Sequence, residues 1–182
     1  MSALLEVVPY DRRWPAEFEA ERERIAAALG ALALRIDHNG STSVPGLAAK
    51  PVIDIQVSVA RLAPLDPFGQ PLTRIGYFHV SHPDDAFAPF FHRPSTWPHT
   101  HHIHVVEAGG AEERKTLAFR DYLREHDEVA REYETLKRGL AARTSAADPA
   151  AREAYAEAKS EFVARITERA VAAGLPRGLG RV

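Results

Sequence analysis

Cysteine is absent from the 182-residue chain, methionine occurs once and tryptophan twice. Without thiols there is neither a disulfide framework nor a thiol nucleophile. An excess of one charge is missing too. Lys and Arg number 23 against 25 Asp and Glu, which gives a formal charge of −2 and a pI near 6.5. No bulk cationic field therefore draws the chain to nucleic acid or to anionic lipid, and neither is expected as a partner. No apolar run reaches the roughly 20 residues that a membrane-crossing helix requires, because Arg, Asp, Glu or Pro interrupts each one. The opening Met1-Ser2-Ala3-Leu4-Leu5-Glu6 lacks the basic region and apolar stretch of a secretory signal, so the cytoplasm is the expected location. Repeats, heptad seams and low-complexity blocks are lacking as well.

What is present is 45% hydrophobic residues, enough for a sizeable core in one domain spanning 1–182. Trp14, Phe18, Ile25 and Leu29 recur at helical spacing, and Gly30 follows as a stop. Two β-branched runs, Leu32 to Ile36 and Val52 to Val59, read as strands flanking a Gly-, Ser- and Pro-rich turn. Arg61 to Ile75 accommodates one short helix, and Tyr77 to Val80 and Ala86 to His92 read as short strands. His101 to Glu107 alternates, with Ile103 and Val105 on one face and His102, His104 and Val106 on the other. From about residue 111 to 175 the period changes to that of helices. Phe119 with Leu123, Val129 to Leu140, and Tyr155 to Ile166 mark three of them. Asp148-Pro149 starts the last, Gly174 and Pro176 end it, and the tail 176–182 is expected to fray.

Chemistry concentrates in Gly40-Ser41-Thr42-Ser43-Val44-Pro45-Gly46-Leu47. Glycines allow close backbone approach, and Ser41, Thr42 and Ser43 offer hydroxyl and amide donors of the kind that cradle phosphate. The ordinary alternative is a tight turn capped by its own hydroxyls. Neither a Walker A loop nor a Rossmann fingerprint fits the glycine spacing. Twelve residues, Thr42 to Ile53, separate Gly40-Ser41 from Asp54, which lies in a strand whose alternation puts Asp54 and Gln56 on one face. A carboxylate in an apolar strand is costly to bury without a partner, and a metal ion, the turn or Lys50 would each supply one.

His102 and His104 share a strand face, so with Asp54 they could form a three-ligand open metal site; a partly exposed edge with satisfied ring nitrogens is the bland reading, preferred for His99 and His101. Tyr133/Lys137 and Tyr155/Lys159 are each spaced four apart on helices, which makes Lys137, Lys159, Lys50 and Arg120 candidates for phosphate contact. Solvated cations beside core tyrosines are the competing explanation.

The string Gly40 to Ile55 resembles the GrpB family, itself related in fold to the nucleotidyltransferase superfamily. Val8-Pro9-Tyr10 to Trp14, His102-Ile103-His104-Val105, Arg120-Asp121-Tyr122-Leu123-Arg124 and both Tyr/Lys pairs extend the resemblance over most of the chain. It implies an α+β, nucleotidyltransferase-like mixed sheet with an N-terminal helix and a C-terminal helical segment. In that superfamily a Gly-Ser turn holds triphosphate, and an acidic pair with a third carboxylate binds two Mg²⁺ ions. Gly40, Ser41 and Asp54 match, whereas Gln56 replaces the second acid and histidines stand where a third carboxylate is expected; imidazoles suit Zn²⁺ or Mn²⁺ better than Mg²⁺. The implied reading is a metal-dependent nucleotidyl- or phosphoryl-transferase acting on a nucleotide or phosphorylated metabolite, with Asp54, His102 and His104 as catalytic and metal-binding residues. An inert binder of the same ligands is the alternative. A third is an interaction or folding-assistance module, since GrpB-like domains are fused to dephospho-coenzyme A kinase in some bacteria.

Overall fold

Trp14, Phe18, Ile25 and Leu29 lie one turn or two apart, and in the computed structural model, which describes residues 4–179, all four are buried on one face of α1 (Trp14–Leu29). Gly30, at φ +53°, ends the helix, and a 3-10 turn over Gly30–Leu32 follows. This turn displaces the first strand from the expected Leu32 to Ile36: β1 runs Arg35–Asn39. Leu32 and Leu34 are about half exposed, so their apolar character does not mark a buried strand.

β2 (Ile53–Val59) is the hub of a five-stranded sheet ordered β1-β2-β5-β4-β3. The other members are β3 (Phe78–Val80), β4 (Phe90–Arg93) and β5 (His101–Glu107). β2 pairs antiparallel with β1 and parallel with β5, in a register that sets Asp54 opposite His102 and Gln56 opposite His104. The strand expected over Ala86 to His92 starts later, because Pro83–Ala86 forms a 3-10 turn capped by His82. The short helix expected between Arg61 and Ile75 is α2 (Asp66–Arg74).

Period-2 alternation divides the sheet. Ile53, Ile55, Val57, Val59, Ile103 and Val105 pack with α1 and α2, whose Phe18, Ile25, Phe68 and Leu72 complete the larger core. Ile55, Val57, Ile103 and Val105 are fully buried, each supplying about 1.5–3 kcal/mol of hydrophobic stabilisation. The opposite face carries Asp54, Gln56 and Ser58 toward the C-terminal helices α3 (Ala111–Glu125), α4 (Asp127–Ala141), α5 (Pro149–Glu157) and α6 (Ser160–Ala172). Ser58 donates to the buried Glu113 carboxylate of α3 at 2.5 Å, and Thr116 donates to the Gln56 side-chain oxygen at 2.5 Å. These polar links seat α3 on the sheet. Val44 and Leu47 join Leu123, Val129, Tyr133, Phe162 and Ile166 in a second core, so the loop after the turn is clamped among helices.

Four helices occupy the C-terminal region rather than three, because the one expected after Asp148 breaks at Ala158–Lys159. Asp148 accepts from the Ala150 amide at 3.0 Å and Pro149 takes the first helical position, as the sequence suggests. Leu175, just before the tail expected to fray, is buried and Arg177 pairs with Glu125 at 3.1 Å; residues 180–182 of that tail lie outside the described residues. Among the described residues no helix is long and apolar enough to cross a membrane.

Candidate functional site

Gly40 closes β1 with φ +62° and ψ −170°, a conformation that side chains rarely adopt. A Cβ there would also overlap the Asp54 carboxylate, so the turn and the carboxylate are in direct contact. The hydroxyls that follow divide by role. Ser43 donates to the Gly40 carbonyl at 2.6 Å, and Thr42 donates to the Val52 carbonyl at 3.3 Å and lies 3.0 Å from His38 Nε2. Those two therefore hold the turn's own shape, which is the ordinary turn chemistry, while Ser41 lines a cavity together with Tyr133. From behind, Arg124 donates twice to the Ser43 carbonyl, at 3.0 and 2.7 Å.

In front of the turn lies a cavity of about 330 Å³. Asp54, His102 and His104 form its sheet wall, and Ser41, Lys50, Lys137 and Lys159 surround it with Tyr133, Tyr155, Phe90 and Phe119. Lys137 is 3% exposed; its ammonium donates to the Ala48 carbonyl at 2.5 Å and sits 4.8 Å from the Tyr133 ring centre. Lys159 and Lys50 approach the Tyr155 ring from 4.5 and 5.0 Å. Burial, then the neighbouring Lys159, pushes the Lys137 amine down to about 7. Burial and then Lys50 push Lys159 down to about 8, and burial lowers Lys50 as well. Desolvated amines of one sign thus face a common space.

Asp54 Oδ1 accepts from His102 Nδ1 at 3.2 Å. Burial pushes the Asp54 carboxyl up, but the His102 hydrogen bond and charge, helped by His104 and Lys50, outweigh it and hold the carboxyl below its ordinary value. The other ring nitrogen, His102 Nε2, is hydrogen-bonded with His99 Nδ1, 3.1 Å away. His99 in turn stacks on His92 with ring centres 3.9 Å apart, and His92 Nδ1 donates to the Pro94 carbonyl at 2.8 Å. Burial, with the charges of His92 and His102, pushes His99 down to about 4. His99 therefore touches the Asp54–His102 network while staying partly exposed with its Nδ1 satisfied, as the edge reading describes; its place three residues before His102 was the available signal for the contact. His101 takes no part there, facing Arg93 and Thr100 instead.

Lys50, Lys137 and Lys159 do converge with Gly40, Ser41 and Asp54, whereas Arg120 does not. Its guanidinium is spent on Asp121 at 2.7 Å, the His38 carbonyl at 3.1 Å and Asp37 at 3.5 Å, beyond β1 in a separate cleft with Arg124. The Gln56 oxygen is engaged by Thr116 and by Asn39 at 3.3 Å. Among the described residues no group of three or more His, Cys, Asp or Glu is arranged to hold a metal ion. Asp54 and His102 meet, but with one carboxylate and a committed neutral amide the donor set does not fit a two-Mg²⁺ clamp.

A mixed sheet with a Gly-Ser turn leading into a carboxylate-bearing strand, closed by helices, is a nucleotidyltransferase-like fold. The similarity to the Cid1 poly(U) polymerase, solved with MgGTP bound, is one of fold alone, with TM-score 0.50 and 15% identity over 75% of this chain and 45% of that one. Within this class the chain belongs to the GrpB family, whose model, described as GrpB protein, matches residues 4–169. A crystal structure of the conserved protein GrpB from Enterococcus faecalis superposes with TM-score 0.81 at 32% identity, covering 94% of this chain and all of that one. The UPF0157 protein PA4798 of Pseudomonas aeruginosa is 42% identical over 179 residues, 93% of this chain and 69% of its own length. A stretch of 83 residues, 44% of this chain, is 45% identical to part of the dephospho-CoA kinase of Mycolicibacterium paratuberculosis, where it spans 20% of the length.

Proposed function

We propose that the cavity beside Gly40 binds the phosphate of a nucleotide or of another phosphorylated metabolite. Lys50, Lys137 and Lys159 supply the positive charge, Ser41 supplies a hydroxyl donor, and the Gly40 backbone leaves room for close approach. The observation that carries this reading is three lysine side chains set against a single carboxylate around one small cavity. Like charges held together and partly desolvated repel one another, as the lowered Lys137 and Lys159 values express. A phosphate dianion relieves that repulsion and replaces the lost water with charge-assisted hydrogen bonds.

Binding of this kind needs no metal. A nucleotidyl- or phosphoryl-transferase that uses a divalent ion is the second reading, favoured by the Asp54–His102 pair on the cavity's sheet wall. Calorimetric titration of metal-stripped protein with ATP, CTP, GTP and UTP, each alone and with Mg²⁺, Mn²⁺ or Zn²⁺, separates the two. The expected result is binding without metal that Lys137→Met weakens and Asp54→Asn preserves. Binding that requires a metal and vanishes in Asp54→Ala would instead establish the metal-dependent site and justify a screen for acceptors. Silence throughout would favour an interaction module, a role consistent with the related stretch in dephospho-CoA kinase.

A further inference from the structure

A second cavity, of about 650 Å³, adjoins the first and shares Gly40, Phe119, Tyr133, Ala156 and Lys159 with it. The two therefore adjoin, with the Tyr133 ring among the residues that line both. Their linings differ in kind. The first is dominated by amines and imidazoles, whereas the second is walled by Phe119 of α3 and by Val163 and Ala164 of α6, with Glu112, Lys115, Lys159 and Glu168 also lining it. Glu168 is exposed, and Glu112 is held by Lys115 at 2.9 Å. Lysines and carboxylates thus balance in number around the second cavity, whereas the first sets three lysines against one carboxylate.

We infer that the ligand is bipartite: a phosphate ester whose phosphate lies among the lysines and whose body is a flat or extended apolar group, ending in hydrogen-bond donors, that fills the second cavity. This rests on the phosphate reading of the first cavity and deepens it. With its two lysines and two carboxylates balanced, the second cavity has no net charge to draw a further anionic group, and its carboxylates accept from amino or hydroxyl groups. Apolar walls strengthen binding in proportion to the surface they cover, and Phe119 and Tyr133 offer ring faces and edges to a planar body. Inorganic phosphate and small sugar phosphates would leave the larger cavity empty, so the space selects for body size as well as for charge.

The position of Ala164 gives a clean test, because it is exposed on α6 and an indole there projects from the helix surface without displacing core residues. Inorganic phosphate, ribose 5-phosphate and adenosine monophosphate serve as probes, titrated into the wild-type chain and Ala164→Trp. Adenosine monophosphate is expected to bind wild type at least about tenfold more tightly than the two smaller probes, a factor equivalent to roughly 1.4 kcal/mol. In Ala164→Trp that advantage falls below about threefold, with inorganic phosphate affinity unchanged, and adenosine monophosphate alters the new indole's fluorescence. Equal affinity of all three probes for wild type, or an advantage untouched by Ala164→Trp, overturns the bipartite assignment while leaving the phosphate site standing. Failure of every probe to bind overturns the phosphate reading itself and this inference with it.

Discussion

Gly40 shows how one position can serve two constraints at once, a left-handed backbone and contact with a carboxylate. Gly46, at φ +80°, meets only the first, since a Cβ there has no neighbour within 4 Å. Gly40→Ala is therefore expected to destabilise the fold more than Gly46→Ala, which carries only a backbone cost of about 1–2 kcal/mol. Urea denaturation of both variants measures the difference, and equal losses would show that the contact with Asp54 is irrelevant. Lys137 poses the opposite problem, because its charge opposes folding while favouring an anionic ligand. Its folded value near 7 lies below the ordinary 10.5, so the unfolded chain binds more protons between them. The contribution to stability is fully present above 10.5 and is lost as pH falls through about 7. Lys137→Met should flatten that rise in stability between neutral and alkaline pH. Wild-type phosphate affinity, needing the ammonium forms of Lys137 and Lys159, should weaken as pH rises through about 7 and 8. Calorimetry across this range, corrected for the ligand's own ionisation, checks the sign.

At the scale of elements, the parallel pairing of β2 with β5 brings Asp54 opposite His102, and the break between α5 and α6 brings Lys159 toward Lys50. The break follows from α5 stopping after nine residues, with Lys159 at the boundary where α6 begins. The start of α5 depends on the Asp148 cap. Asp148→Ala removes that acceptor and should cost about 0.5–2 kcal/mol in urea denaturation. Because α5 carries Tyr155 on the cavity wall, the same variant should also bind inorganic phosphate less tightly. Unchanged phosphate binding alongside the stability loss would separate the cap from the site.

Over the whole molecule, the sheet separates a mainly apolar core under α1 and α2 from a face that mixes polar links with the cavity. His38 lies between the turn and α1, 8% exposed, with its ring stacked on Phe18 at 4.7 Å and Nε2 beside Thr42. Burial pushes it down to about 4 from 6.5, against the partial opposition of Asp54. The unfolded chain therefore takes up a proton at higher pH than the folded one. Stability from this group is present above 6.5 and is lost as pH falls through about 4, and His99 adds to the same window. The urea midpoint should fall on acidification over that range, and His38→Gln should reduce the drop.

The sequence by itself determined the elements whose pattern depends only on near neighbours. The four apolar positions of α1, the alternation of β2 and β5, and the run from Gly40 to Ile55 with its family were all legible. These features follow from the 3.6- and 2-residue periods of the backbone and from turn chemistry, which local sequence fixes. Only the tertiary structure decided which polar groups meet. It gathered Lys50, Lys137 and Lys159 around Asp54, drew His99 into contact with His102, spent Thr42 and Ser43 on the turn, and sent Arg120 to the far side of β1. Those outcomes depend on strand register, on where α5 breaks and on which face of α3 meets the sheet. All three are settled by packing among residues distant in the chain, so spacing along the sequence nominates candidates but does not record which of them meet.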